Sequence, residues 1–268
     1  MSLLKSIRRK LTDPRLEGID PDSIEFVEIH RQIMSERKYM RDISTEFYST
    51  IKKLDEKYFN GNGMRLEIGA GCSFFSKLYP EIINSDIKPS PFTDKVIDAL
   101  AMPFDNNSLR AVYGINCFHH FEEPERFFTE LIRVLQPGGG CILIDPYYGF
   151  VANKFYQSLT DSETFDKKMI GWNSNITGTM QGANQALSYI VFKRDIAIFQ
   201  KLFPELELLY MHPFNNYIRY LISGGLNFKP LLPYGFRHIL RLKECLLSPF
   251  KSFFALHHVI VIRKKKTV

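Results

Sequence analysis

The apolar positions of this chain change period along its length. Between Ser23 and Phe59 they recur at helical spacing, as Phe26, Ile29 and Ile33 and then Ile43, Phe47, Ile51 and Leu54, among many charges. That spacing predicts one long or two shorter amphipathic helices, ended by Asn60-Gly61-Asn62-Gly63. Beyond it the apolar runs shorten to strand length. They predict strands near 64–68, 82–86, 94–97, 110–115 and 140–145, with helices near 73–79 and 124–135 between them. Further on, 193–202 reads as a helix, Glu207–Met211 as a strand and His257–Ile262 as the last strand. Strands alternating with helices imply an α/β fold with a parallel sheet covered on both faces.

The most informative stretch runs from Met64 to Asp86. A short apolar run leads into Glu67-Ile68-Gly69-Ala70-Gly71, a helix-like segment follows, and a second apolar run ends on Asp86. Glycines in such a turn let backbone approach a ligand that any Cβ would push away. An acid about 20 residues beyond the turn is placed to hold a ribose diol. A dinucleotide fingerprint would need glycine at position 74, where this chain has Phe74. An acid before the first glycine would also repel a pyrophosphate, whereas it suits an ammonium or hydroxyl groups. A nicotinamide oxidoreductase is disfavoured on both grounds.

The E-x-G-x-G pattern with a following strand-end acid resembles motifs I and II of class I S-adenosylmethionine-dependent methyltransferases. Three later pieces carry the same resemblance at ordinary spacing. They are Val96 to Phe104 ending on Pro-Phe, Ala111 to Asn116 followed by Phe118-His119-His120-Phe121, and Leu131 to Gly140 containing R-V-L-Q-P-G-G. The likeness covers roughly residues 60–147, and departs at Ser73, where many members have a third glycine. It implies a doubly wound, Rossmann-like, seven-stranded sheet whose last strand is antiparallel. N-terminal helices and a helical insertion before the last strand would flank it. It also implies S-adenosyl-L-methionine as cofactor. Glu67, Gly69, Ala70 and Gly71 would hold the methionine end, and Asp86 with Ile87 the ribose. Asp98, Ala99 and Leu100 would meet the adenine, and Asn116 would close the pocket from the fourth strand.

The acceptor side is less constrained. A sugar hydroxyl would want a general base. His119 and His120 leave the fourth strand toward the pocket, and Asp145, Tyr147 and Tyr148 stand at the exit of the fifth as rivals. A buried structural role is equally open to either histidine, and an acidic acceptor would need no base. Asp145-Pro146-Tyr147 follows strand five rather than strand four, which argues against methylation of nucleobases. Gly182 to Leu187 and Tyr220 to Gly225 resemble a bacterial subgroup associated with cell-surface polysaccharide loci.

Composition narrows the class. The 268 residues, 45% of them hydrophobic, suit one core with insertions. We divide the chain into an N-terminal arm and helices over the pocket (1–59) and a methyltransferase domain (60–268), with insertions near 146–190 and 212–254. No apolar run reaches bilayer-spanning length, and no signal peptide is expected. Cys72, Cys117, Cys141 and Cys245 are scattered without a C-x-x-C pair, so reduced thiols in a cytoplasmic protein and no metal site are expected.

The net charge of +6 has two concentrations. Residues 1–11 place Leu3, Leu4, Ile7 and Leu11 among Lys5, Arg8, Arg9 and Lys10. The 212–254 insertion sets Arg219, Lys229, Arg237, Arg241, Lys243 and Lys251 against the single acid Glu244. Each reads either as an anionic-membrane contact at the inner face of the membrane or as solvated charge, the first as a frayed arm and the second as a substrate lid. No nucleic-acid-binding motif accompanies them. The leading function is a methyltransferase acting on a small molecule or a lipid-linked glycan intermediate. The alternative is a non-catalytic cofactor-binding scaffold beside a membrane-associated enzyme. Oligomeric state is not legible.

Overall fold

Seven strands form one sheet in a computed structural model that describes residues 8–159, 163–174 and 183–266. They are β1 (Met64–Ile68), β2 (Ile82–Asp86), β3 (Lys95–Val96), β4 (Leu109–Ile115), β5 (Leu135–Pro146), β6 (Leu206–Pro213) and β7 (His257–Lys264). Their order is β3-β2-β1-β4-β5-β7-β6. The first five run parallel, and β7 is antiparallel to both β5 and β6. This is the Rossmann-like arrangement with an antiparallel last strand that the motifs imply. The strand order reverses between β1 and β4, which opens a crevice beyond their carboxyl ends.

The central strands of the sheet are buried on both faces, and their side chains alternate accordingly. Leu66, Val112, Cys141 and Leu143 face a cluster that includes Phe127, Phe128 and Leu131 of helix α4 (Pro124–Val134). Ala111, Tyr113, Ile142 and Ile144 face the other side, where Ile43, Phe47, Ile51 and Leu54 of α2 (Lys38–Tyr58) cover them. The predicted amphipathic segment is thus two helices, α1 (Ile24–Glu36) and α2. Arg37 interrupts them with an extended ψ of 103°. Its guanidinium is held by Asp13 and by the carbonyls of Gly225 and Phe228, contacts that a continuous helix would not direct there.

Other boundaries differ for local reasons. β5 begins at Leu135, ahead of the expected residue 140, because Gly139 and Gly140 let it continue through a register shift against β4. A Cβ on Gly139 would lie 2.5 Å from the Arg110 carbonyl, and one on Gly140 2.2 Å from the Phe59 ring. The predicted helix after the glycine turn is one turn long, α3 (Phe75–Leu78), and is preceded by Ser73, whose hydroxyl accepts from Phe75 N–H.

After α5 (Phe150–Leu159) the chain returns through a π-turn (Ile190–Arg194) to α6 (Ile196–Leu202). The insertion holds α7 (Tyr217–Ser223), α8 (Arg237–Leu246) and α9 (Lys251–Phe254). A single helix over 236–254 is not formed, because Pro249, which lacks an amide hydrogen, sits in a 3₁₀ turn between α8 and α9.

Residues 8–11 close a helical turn and the arm is tied to the body, so that part is not frayed. Thr12 pairs with Phe228, Asp13 N–H donates to the Asn227 carbonyl at 2.9 Å, and Lys229 N–H donates to Leu11 at 2.7 Å. Leu3, Leu4, Lys5 and Ile7 lie outside the described residues. Within the insertion, Arg219 is buried between Glu244 (2.7 Å) and Glu46 (2.6 Å) and contributes no free positive charge. Among the described residues no helix is long and apolar enough to cross a membrane.

Candidate cofactor and acceptor site

The crevice at the sheet's switch point is a cavity of about 1380 Å³, and every residue predicted to hold the cofactor lines it. Glu67 is the next-to-last residue of β1 and is buried, with Oε2 lacking any hydrogen-bond partner. Burial drives its carboxyl up to about 8, with nearby Asp86 adding to the rise while Ser73 and Arg31 oppose it. A carboxyl held in this way is a site that a cation would complete.

The turn after it needs glycine twice. Gly69 has φ +59°, and a Cβ there would sit 2.5 Å from Cβ of Cys117. Gly71 has φ +48° and open space where a Cβ would be. Asp86 at the end of β2 accepts from Gly71 N–H at 2.8 Å and Lys88 N–H at 3.0 Å, so it sets the turn's shape. A carboxylate has about four lone-pair sites, which leaves capacity for two hydroxyls. Asp98 accepts from Leu100 N–H at 2.8 Å and so caps its own turn. Asn116 adopts φ +52° after β4, with its Oδ1 buried and unpartnered. Ile87 is half exposed at the rim, and Ala99 and Leu100 form an apolar wall.

The predicted catalytic residues separate into two groups. His119 and His120 line the cavity from a 3₁₀ turn, Phe118–His120. Asp145 is completely buried behind them and does not line it, but its Oδ1 meets His119 Nδ1 at 2.8 Å. Burial alone would push His119 down, yet Asp145 and nearby Glu163 outweigh it and hold the imidazole above its ordinary value. Tyr147 is not at the cavity. The β5–β7 ladder continues through Pro146 and His257, and carries the Tyr147 ring into a cluster with Ala152, Tyr156 and Leu256. Tyr148 packs beside it, 4.4 Å between ring centroids.

Arg31, Glu163 and Gln185 were not singled out from sequence, whereas Tyr39, Phe47 and Tyr48 stand on a helix that the family resemblance places beside the pocket, where they could line the site or pack in the core. Arg31 of α1 donates to the carbonyls of Cys72 and Ser73 and lies 3.4 Å over the Phe74 ring, clamping the glycine turn from outside. Tyr48 lines the cavity, and its hydroxyl accepts from Phe74 N–H at 3.0 Å. Phe47 also reaches the cavity, whereas Tyr39 does not and donates instead to the Pro233 carbonyl at 2.9 Å. Glu163 and Gln185 come from the segment after α5 and stand beside the two histidines. Only the helical spacing of α1 hinted at Arg31. Nothing in the spacing marks Glu163.

Residues 66–143 match the family model described as a methyltransferase domain. Over that segment the chain is similar to methyltransferase domains, in line with the resemblance its motifs carry. It is 31% identical over 85 residues to phosphoethanolamine N-methyltransferase 2 of Caenorhabditis elegans, a match covering 31% of this chain and 19% of that enzyme's length. A phosphoethanolamine N-methyltransferase 2 from Haemonchus contortus, solved with S-adenosyl-L-methionine, is similar in structure at 12% identity. The alignment covers 94% of this chain and 59% of that one, with a TM-score of 0.47. A geranyl diphosphate C-methyltransferase from Streptomyces coelicolor A3(2) is similar at 10% identity over 95% and 89% of the two chains, also with a TM-score of 0.47.

Proposed function

We propose that this protein transfers a methyl group from S-adenosyl-L-methionine to a small molecule or lipid-linked glycan intermediate, working at a membrane face. The observation that carries the reading is Glu67, a buried carboxylate with an unpartnered oxygen beside a glycine turn that no larger residue could form. The bound cofactor would supply an electrophilic methyl group on a cationic sulfur. Glu67 and the Gly69–Gly71 backbone would receive its amino-acid end, Asp86 its ribose hydroxyls, and Asp98 with Leu100 its base. Asn116 would stand between that pocket and His119, which Asp145 orients toward the acceptor. Fixing two reactants in one pocket can supply roughly 7–11 kcal/mol of barrier lowering, so positioning is the main task of these residues.

The cavity exceeds the ~300–1,000 Å³ of an ordinary single-ligand pocket, leaving space for an acceptor beside the cofactor. Residues of α1 and of the 220–231 segment line its far side, and they would cover the bound pair. Membrane association is supported by α8 and α9. Leu242, Leu246 and Phe250 are 60%, 69% and 62% exposed in a row flanked by Arg237, Lys243 and Lys251. An apolar ridge with basic flanks complements an anionic bilayer surface.

The test is incubation of the full chain with radiolabelled methyl donor and fractionated cell extract. Label entering a lipid or sugar fraction supports the reading. Label entering nucleic acid overturns the acceptor assignment. Tight cofactor binding with no label in any fraction overturns catalysis and leaves the scaffold alternative.

A further inference from the structure

We propose that His119, His120 and Glu163 form a site for one first-row divalent metal ion at the acceptor side of the cavity. The inference rests on the reading of that cavity as a methyl-acceptor site. One ligand atom from each of the three residues lies within 4.8 Å of the others, and all three line the cavity. His119 Nε2 is 3.9 Å from Glu163 Oε2, and His120 Nε2 is 3.6 Å from Glu163 Oε1. Those separations are too long for hydrogen bonds. They do fall within the ~4.2 Å that two metal–ligand bonds of ~2.0–2.2 Å can span.

The surroundings are those of a metal centre. The Nδ1 of His119 is tied to Asp145 at 2.8 Å, which fixes the ring and leaves Nε2 for the cavity. A carboxylate behind a ligating histidine is the usual orienting device of such sites. Glu163 is fixed in turn by the side-chain amide of Gln185, itself buried. Both imidazoles come from a single 3₁₀ turn. Two imidazoles and a carboxylate suit zinc, iron, cobalt or nickel better than magnesium or calcium, which prefer all-oxygen shells. Three protein ligands facing a cavity also leave an open position for substrate.

The substrate class follows from that open position. It is an acceptor with a hydroxyl oxygen able to enter the metal's shell. A catalytic zinc ion lowers the pKa of its bound water to about 7, and a hydroxyl bound to a divalent metal is acidified in the same sense. The O–H bond breaks, its electron pair stays on oxygen, and the proton leaves to solvent through the cavity mouth. His119 is then a ligand and not a proton acceptor. Asp145 is a positioning residue.

The experiment is titration of the chelator-treated full chain with Co²⁺, followed by visible absorption and calorimetry. The expected result is one equivalent bound, with affinity lowered at least tenfold in His120→Ala and in Glu163→Gln. In Asp145→Asn the loss should be roughly 10–100-fold. Circular dichroism reports whether each variant is folded, and Glu163→Gln preserves side-chain shape. No stoichiometric Co²⁺ binding by the unmodified protein, or unchanged affinity in both His120→Ala and Glu163→Gln, would overturn the site. Binding of S-adenosylmethionine is measured separately on the metal-free samples. A protein that binds Co²⁺ in the titration but no S-adenosylmethionine in the metal-free measurement would sink the cofactor reading alone, and the converse would sink the metal site alone.

Discussion

The backbone N–H of Gly71 donates to Oδ2 of Asp86 at 2.8 Å, joining the glycine turn after β1 to the acid that ends β2. Asp86 therefore has two tasks, shaping the turn and, in our reading, receiving ribose hydroxyls. Hydrogen bonds to a charged acceptor contribute about 1.5–3 kcal/mol each. Asp86→Ala should weaken S-adenosylmethionine binding by more than tenfold in calorimetry. Asp86→Asn keeps one oxygen for Gly71 and should lose less. Equal affinity in all three proteins would remove Asp86 from the site.

Glu67 predicts a pH dependence of stability. Its carboxyl keeps a proton up to about pH 8 in the ligand-free fold, against an ordinary value of 4.5. Between those values the unfolded chain has lost a proton that the folded chain retains, so raising pH favours unfolding. This contribution is fully present below 4.5 and is gone as pH rises through about 8. Glu67→Gln removes it. The melting temperature of Glu67→Gln relative to the unmodified protein should therefore climb from pH 5 to pH 8, while its cofactor affinity falls. A difference in melting temperature that is flat with pH would contradict the buried, cation-seeking carboxylate.

Away from the cavity, Asp55 of α2 is completely buried and is paired with Arg110 of β4, with Arg65 Nε 3.7 Å away. Arg110 also donates to the Gly61 carbonyl at 2.7 Å, which anchors the turn entering β1. Removing one member of a buried pair leaves an uncompensated charge and costs about 3–5 kcal/mol. Arg110→Met should lose about that much in urea unfolding. Neither residue lines the cavity, so cofactor affinity in the folded variant should be unchanged, and an affinity loss would mean the pair acts on the site.

The legible parts of the molecule are those whose physics is local. The helix-to-strand change of period, the positive-φ demands at Gly69 and Gly71, and the acids at strand ends are written within a few residues of each other. They marked the alternation of strands and helices and the proposed cofactor residues, all of which line the cavity. Tyr147 was misplaced because its position depends on where the β5–β7 ladder stops, a pairing between distant segments. Glu163 meets His119 and His120 only after the chain has left the sheet and returned, so no spacing records it. Arg31 was hidden for a different reason. A buried guanidinium serving two carbonyls and an aromatic ring looks, in sequence, like one more charge on a helix.

The exposed ridge of α8 and α9 supports the last prediction. Leu242 and Leu246 lie one helical turn apart, Phe250 continues the row past the 3₁₀ turn, and Phe253 stacks on Phe150 at 4.8 Å beside it. Fully burying such a side chain gains about 1.5–3 kcal/mol, and each basic residue near an anionic surface adds about 1 kcal/mol. Together these would hold the protein on vesicles containing phosphatidylglycerol but only weakly on neutral ones. The triple change Leu242→Ser, Leu246→Ser and Phe250→Ser should lower recovery in the buoyant fraction without lowering the melting temperature, since these side chains are mostly solvent-exposed. Changing Arg237, Lys243 and Lys251 to Gln should instead remove the preference for anionic vesicles and the sensitivity to salt. Equal flotation of the unmodified protein and the serine variant would show that the ridge does not meet a membrane.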